Sequence, residues 1–181
     1  MFGATEIFLS DKAFLSIILS SVEVYKNESH GALLGFKTPR RIIVEYAIPF
    51  QSARRKFTEV MPNWRRELKV IEVLPRLIHL QKLGYYHSHP QFGKKRGTPE
   101  LSKTDREYMQ PGEIEIVVAI NDSKRSSPWK ESKNKLSGTL GKYHITIAGF
   151  YKRKRNDEIT QYRVLCPYAI GFDYTFEQPL V

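Results

Sequence analysis

Cysteine is almost missing from this chain, because Cys166 is the only one among 181 residues. An intrachain disulfide and a cysteine-based zinc cluster are therefore both excluded. The chain also lacks a run of about 18 apolar residues, the length that a membrane-spanning helix needs. These absences favour a protein of the reducing cytoplasm with no membrane segment, and we expect Cys166 to be a small buried hydrophobe.

Acidic residues are scarce relative to basic ones, with 19 Asp and Glu against 29 Lys and Arg and a net charge of +10. This imbalance favours an anionic partner, such as nucleic acid, an acidic protein or a membrane face. Hydrophobic residues make up 41% of the chain, which is enough for a real core. The length suits one domain, so we expect a single domain over residues 1–181.

Apolar periodicity predicts a mixed order of strands and helices. Helical spacing occurs at about residues 12–26 and again at 64–82, where Pro75 predicts a kink or two successive helices. Strands are expected in TEIFLS, GALLGF, RIIVEYAIPF, LGYYHSH, EIEIVVAI, YHITIAGFY and TQYRVLCPYAI. The polar residues 121–138 are interpreted as a long, mobile loop. The pattern predicts an α/β (α+β) fold in which one sheet is packed between helices.

The strand that ends in HSHP carries the main chemical signal. His87 and His89 are two residues apart, so on a strand they share one face and can aim both imidazoles at one point. A third protein ligand with an open fourth position makes a catalytic zinc site, and Asp105 is the nearest downstream candidate. Ser102 and Asp105 also form a helix-capping pattern, and the two interpretations are compatible because a capped helix start is a rigid place for a ligand.

These residues resemble the signature of the JAMM (MPN-plus) zinc metalloproteases. Glu28 in ESHGALLG is followed by HSHP at residues 87–90 and then by Ser102-x-x-Asp105, in the order that the family shows. The resemblance extends from Glu28 to about Ile120. It implies a fold like that of the cytidine deaminases, a curved mixed sheet with helices on both sides.

The same resemblance implies the roles of the site residues. One catalytic zinc ion would be held by His87, His89 and Asp105 and would activate water for attack on a peptide or isopeptide bond. Glu28 would be the general base that accepts the proton from water and later passes it to the leaving amine. Ser102 would donate its hydroxyl to the developing oxyanion.

The resemblance also implies the substrate class. Ubiquitin-like modifiers, or small sulfur-carrier proteins with the same fold, would be cut after a C-terminal Gly-Gly. The oligomeric state stays open, with a homodimer as one alternative.

The spacer between Pro90 and Ser102 is longer than the usual one of the family. It contains Lys94, Lys95 and Arg96, flanked by two glycines that could act as hinges. We expect these basic residues to form a flap beside the zinc that contacts an acidic surface of the substrate. The alternative is a solvated insertion with no role.

Two alternatives come from other functional classes. Many MPN domains lack the metal ligands and serve as assembly platforms, whereas this chain has the complete ligand set. A nucleic-acid-binding module is suggested only by the charge of +10. It is the less favoured partner type, because the basic residues are dispersed and no RNA-recognition, zinc-finger or helix-turn-helix signature is present.

Overall fold

A computed structural model of the chain describes residues 5–50, 54–56, 59–61, 64–78, 80–154, 156 and 158–175. The strands are β1 Glu6–Leu9, β2 His30–Lys37, β3 Arg41–Pro49, β4 Arg54–Lys56, β5 Glu59–Met61, β6 Gln81–Pro90, β7 Ile114–Asp122, β8 Lys130–Ser132, β9 Lys135–Leu140, β10 Tyr143–Lys152 and β11 Ile159–Leu165. The helices are α1 Asp11–Glu23, α2 Trp64–Ile78, α3 Lys103–Tyr108 and α4 Pro167–Thr175. None of these helices combines the length and the apolar character that crossing a membrane requires.

The main sheet closes on itself. Seven strands follow one another in the order β11-β1-β3-β2-β6-β7-β10, and β11 pairs with both β1 and β10, so the two ends of this row are joined. The result is a closed barrel of seven strands, from which β9 and β8 extend as a flap of sheet beside β10. Strands β4 and β5 form a separate hairpin.

The predicted sheet packed between helices is therefore wrong, and so is the fold like that of the cytidine deaminases that the resemblance implied. Closure depends on β10, which pairs with β9 over Tyr143–Ile147 and with β11 over Gly149–Lys152. A Cβ atom at Gly149 would lie 2.6 Å from Cδ1 of Ile7, so the missing side chain lets β1 and β10 approach each other where β10 changes partner. Such pairing between distant segments leaves no trace in local periodicity, which is why the sequence pattern predicted an open layered sheet.

The polar segment at residues 121–138 is also not the predicted mobile loop. It contains β8 and the first part of β9, which pair with each other, and β9 also pairs with β10. Trp129 is only 4% exposed, and its ring packs edge-on against Phe14 of α1 with 5.1 Å between the ring centroids. The core thus holds this largely polar segment through Trp129 and the fully buried Leu136.

The interior of the barrel is filled with aliphatic and aromatic side chains. Alternate residues of β7, Ile114 to Ile120, point inward and have almost no exposed surface. Helix α1 adds Phe14, Ile17 and Ile18 to the same cluster. Its start is capped by Ser10, whose side chain accepts a hydrogen bond from the backbone N–H of Ala13.

The opposite face of β7 points out of the barrel, yet it is buried too. Val117 belongs to a second, smaller apolar cluster with Leu101, Met109, Ala148 and Phe150, and Leu101 and Met109 flank the short helix α3. Helix α3 is therefore fixed on the outside of the barrel, above β7. The candidate site lies at this position.

Candidate metal centre

Three side chains with metal-ligating atoms converge at the end of β6. His87 and His89 lie on β6 and point out of the barrel, while the alternating residues Tyr86 and Ser88 are fully buried. Asp105 comes from the first turn of α3. One ligand atom from each of the three residues lies within 4.8 Å of the other two.

The spacing of these atoms fits a tetrahedral zinc ion. His87 Nε2 lies 3.0 Å from His89 Nε2 and 3.5 Å from Asp105 Oδ2, and His89 Nε2 lies 3.9 Å from Asp105 Oδ2. Zinc–ligand bonds of about 2.0–2.2 Å with tetrahedral angles would separate the ligands by about 3.3–3.6 Å. The measured distances bracket this range, so modest movement of the side chains would complete the coordination.

The far side of each imidazole ring is held by a hydrogen bond. His89 donates its Nδ1–H to the backbone carbonyl of Thr98 at 2.8 Å, and a carbonyl can only accept. His87 Nδ1 lies 2.7 Å from Oε1 of Glu115, a buried carboxylate on β7. Both bonds leave the Nε2 lone pairs for the shared point between the rings, as in known metal-binding histidines.

The charges around the three residues shift the pKa values of their side chains. Burial lowers the pKa of His87, but hydrogen bonds and charges from Asp105 and Glu115 outweigh it and raise this pKa to about 10. Burial raises the pKa of Asp105, yet the hydrogen bond and charge of His87 hold it well below its usual range. Burial and the neighbouring charge of His87 lower the pKa of His89. Two carboxylates thus favour positive charge at the point where the rings meet.

Ser102 and Asp105 form the predicted capping box at the start of α3. Ser102 Oγ accepts the backbone N–H of Asp105 at 3.1 Å, and Asp105 Oδ2 accepts the backbone N–H of Ser102 at 2.6 Å. The Oδ2 atom that caps the helix is also the one nearest to the histidines. The capping prediction is therefore confirmed, and the cap holds this carboxylate rigidly toward the candidate ligands.

Glu28 is half-buried in the connection between α1 and β2. The pairing of β2 with β6 continues past its last ladder pair, because Ser29 exchanges hydrogen bonds with the backbone N–H and the hydroxyl of Ser88. Glu28 is the residue before Ser29, so its backbone lies near the end of β6 that carries the histidines. The structure thus brings the predicted base to the same edge as the histidine pair, and its role as a base stays a prediction.

The basic loop begins beside the metal-ligating residues. Lys94, Lys95 and Arg96 are exposed in a turn that two backbone hydrogen bonds between Phe92 and Lys95 close. The end of this loop is fixed, because Asn121 binds both the N–H and the carbonyl of Gly97. A hinge motion at Gly97 would break both bonds. Contact of the loop with a substrate stays a prediction.

Sequence reasoning missed several residues of this region. Glu115 was hidden in the strand pattern EIEIVVAI, although its regular alternation signalled a strand with two different faces. Glu67 of α2 is fully buried, and its Oε2 atom lies 3.8 Å from His30 Nε2. No local signal pointed to this second pair, because its partners are far apart in the sequence.

Comparisons with known proteins give the fold and nothing about chemistry. No protein-family model and no curated protein matches the chain. Among solved structures, the chain is similar to protein DSY2949 of Desulfitobacterium hafniense, a structural-genomics target determined in solution, with a TM-score of 0.61 at 17% identity. The match covers 88% of this chain and 92% of that one. At this identity the likeness shows a shared fold.

Proposed function

We propose that the protein is a zinc-dependent peptidase or isopeptidase of the JAMM type. The observation that carries the proposal is the convergence of His87, His89 and Asp105, whose ligand atoms lie 3.0–3.9 Å apart, close to the spacing that tetrahedral zinc needs. The two Nδ1 hydrogen bonds support it further, because they orient both Nε2 atoms toward one point. Three protein ligands leave a fourth position open, which is the arrangement of catalytic rather than structural zinc sites.

Each step of the proposed hydrolysis would depend on a small number of groups. His87, His89 and Asp105 would hold the zinc ion, which would supply a water of lowered pKa and polarise the carbonyl of the substrate. The carboxylate of Glu28 accepts the proton of the attacking water and transfers it to the leaving amine. The hydroxyl of Ser102, at the rigid start of α3, donates a hydrogen bond to the developing oxyanion.

The proposed substrates are ubiquitin-like or sulfur-carrier proteins that are cut after a C-terminal Gly-Gly. This part of the proposal rests on the resemblance of the Glu28, HSHP and Ser-x-x-Asp pattern to the JAMM family. The exposed Lys94, Lys95 and Arg96 add support for an acidic protein partner. We further propose that the enzyme acts in the cytoplasm, where its single buried thiol, Cys166, would stay reduced.

Elemental analysis of the protein purified without added metal tests the zinc site. We expect one zinc ion per chain, none in the double variant His87→Ala, His89→Ala, and an unchanged content in His144→Ala, a histidine of β10 outside the ligand set. Zinc retained by the double variant would rule out the assigned ligands.

Hydrolysis of a ubiquitin-like protein with a C-terminal extension tests the reaction. Release of the extension by the wild type, and its loss in the double variant, is the expected result. Bound zinc without any hydrolysis of extended or isopeptide-linked substrates would favour the scaffold alternative.

A further inference from the structure

Glu115 is a buried carboxylate to which the proposed mechanism gives no task. It lies on the outer face of β7, beside Tyr85 of β6 and Phe150 of β10, and is 9% exposed. Its Oε1 atom lies 2.7 Å from His87 Nδ1, which makes it the closest partner of that ring. Burying a carboxylate away from water is costly unless it is paired, so this contact calls for an explanation.

We propose that Glu115 is a positioning residue of the zinc site, a role that rests on the proposed function. Its carboxylate accepts the Nδ1–H of His87, which selects the tautomer with a free Nε2 lone pair and fixes the ring plane toward His89 and Asp105. Glu115 itself cannot be the general base. Nδ1 and Nε2 lie on opposite edges of the imidazole, so the ring separates the Glu115 carboxylate from the metal position.

The charges of the site support the same role. Zinc brings two positive charges into a region where Asp105 supplies one negative charge and Glu115 a second. The other ligand, His89, is held only by the neutral carbonyl of Thr98. Glu115 thus completes the charge balance of a largely buried site, which strengthens its hold on a divalent ion.

Zinc affinity is the direct measurement of this role. The full chain is stripped of metal and titrated with Zn²⁺ in competition with a chromogenic zinc chelator. We expect Glu115→Ala to weaken zinc binding by about 10–100-fold, the usual effect of losing such a partner. Glu115→Gln should lose less, because its amide oxygen can still accept the Nδ1–H although the charge is gone.

A matched control separates positioning from general loss of negative charge. Glu113 lies two residues earlier and pairs with Lys82 at 2.7 Å, away from the histidines. Glu113→Gln should therefore bind zinc as the wild type does. Visible absorption of the Co²⁺-loaded forms gives a second signature, since it reports ligand geometry and should change in the Glu115 variants alone.

The outcomes are distinct. If Glu115→Ala and Glu115→Gln both bind zinc within twofold of the wild type, or if Glu113→Gln loses as much, the inference is overturned while the zinc site stands. If Glu115→Ala does not fold, the isosteric Glu115→Gln decides by the same criterion. If the wild type does not bind zinc, the inference falls together with the proposed function.

Discussion

The interior of the barrel and the outer face of β6 and β7 use the same strands for different purposes. Ile114, Ile116 and Ile120 point inward into an aliphatic core and carry no polar group. Glu115, one residue away, points outward and is nearly as buried, yet it is paired with His87. The comparison teaches that burial alone does not identify the function of a strand. The core is held by apolar contact, whereas the outer face combines burial with paired polar atoms.

The largest expected effect concerns the outer face. Glu28→Gln should lower the rate of hydrolysis by about 10²–10⁴-fold, because the amide cannot accept the proton of the attacking water. Zinc content and thermal stability should stay at the wild-type level. Steady-state kinetics with elemental analysis measure both. The exposed Glu23→Gln is the control, and near-normal turnover by Glu28→Gln would place the base elsewhere.

The next prediction compares Leu→Ala substitutions in the barrel interior and in the outer cluster. Leu33 is fully buried in the barrel, and Leu33→Ala should lower the free energy of unfolding by about 2–5 kcal/mol. Leu101 lies in the outer cluster at 6% exposure, immediately before Ser102, and Leu101→Ala should cost less.

Zinc affinity should show the opposite order in these two variants. Leu101→Ala loosens the start of α3, which carries Asp105, whereas Leu33→Ala leaves the site intact in the folded molecules. Urea unfolding and chelator competition measure the two quantities. A weaker zinc affinity in Leu33→Ala than in Leu101→Ala would contradict the separation of core and site.

A smaller effect is expected from the basic loop. Each contact of an exposed charge is worth about 0–1 kcal/mol, so changing Lys94, Lys95 and Arg96 to Ser should raise KM by up to about a hundredfold at low salt. The value of kcat should hardly change, because uniform binding is what is lost. Kinetics on a protein substrate and on a short peptide, at low and high salt, measure this effect.

The control for the loop removes the same charge at the other end of the barrel. Arg40, Arg153 and Lys154 are exposed beyond the ends of β2 and β10 that lie away from the histidines. Their replacement by Ser should leave KM nearly unchanged. Equal KM values for the loop variant and the wild type at low salt would make the loop a solvated insertion.

The smallest expected effect concerns Glu67. Its substitution tests whether a buried polar side chain lowers the free energy of unfolding. Glu67 is fully buried, and neither carboxylate oxygen has a hydrogen-bond partner in the described part of the chain. Glu67→Met keeps the length of the side chain and should raise the free energy of unfolding by about 1 kcal/mol. The exposed Glu72→Met on the same helix should be nearly neutral. Clear destabilisation of Glu67→Met in urea would show that the carboxylate is stabilised in place.

Local structure was largely predictable from the sequence. Apolar segments located β1, β2, β3 and β7, and Ser102 marked the start of α3. Pro75 was expected to cause a kink or to divide α2 into two helices, and the single helix Trp64–Ile78 excludes the division. These features depend on neighbours a few residues apart, so a linear pattern contains most of the information.

The histidine pair and the capping box were likewise determined by spacing along the chain. Residues two positions apart on a strand share a face, and a spacing of three positions brings Ser102 and Asp105 together at a helix start. The meeting of Asp105 with His87, and the hydrogen bond from His87 to Glu115, needed the tertiary structure. Parallel pairing of β6 with β7 sets Tyr85 beside Glu115 and His87 beside Val117, which no local pattern encodes.

Closure of the barrel was decided entirely by tertiary structure. It requires β11 to reach both β1, at the start of the chain, and β10, and it requires β10 to change partner at Gly149. The sequence by itself indicated the seven strands of the barrel, but not the short strands β4, β5 and β8 or the strand β9. Only the packed chain decided which strands meet, because pairing energies compare contacts between residues that are distant in sequence but adjacent in space.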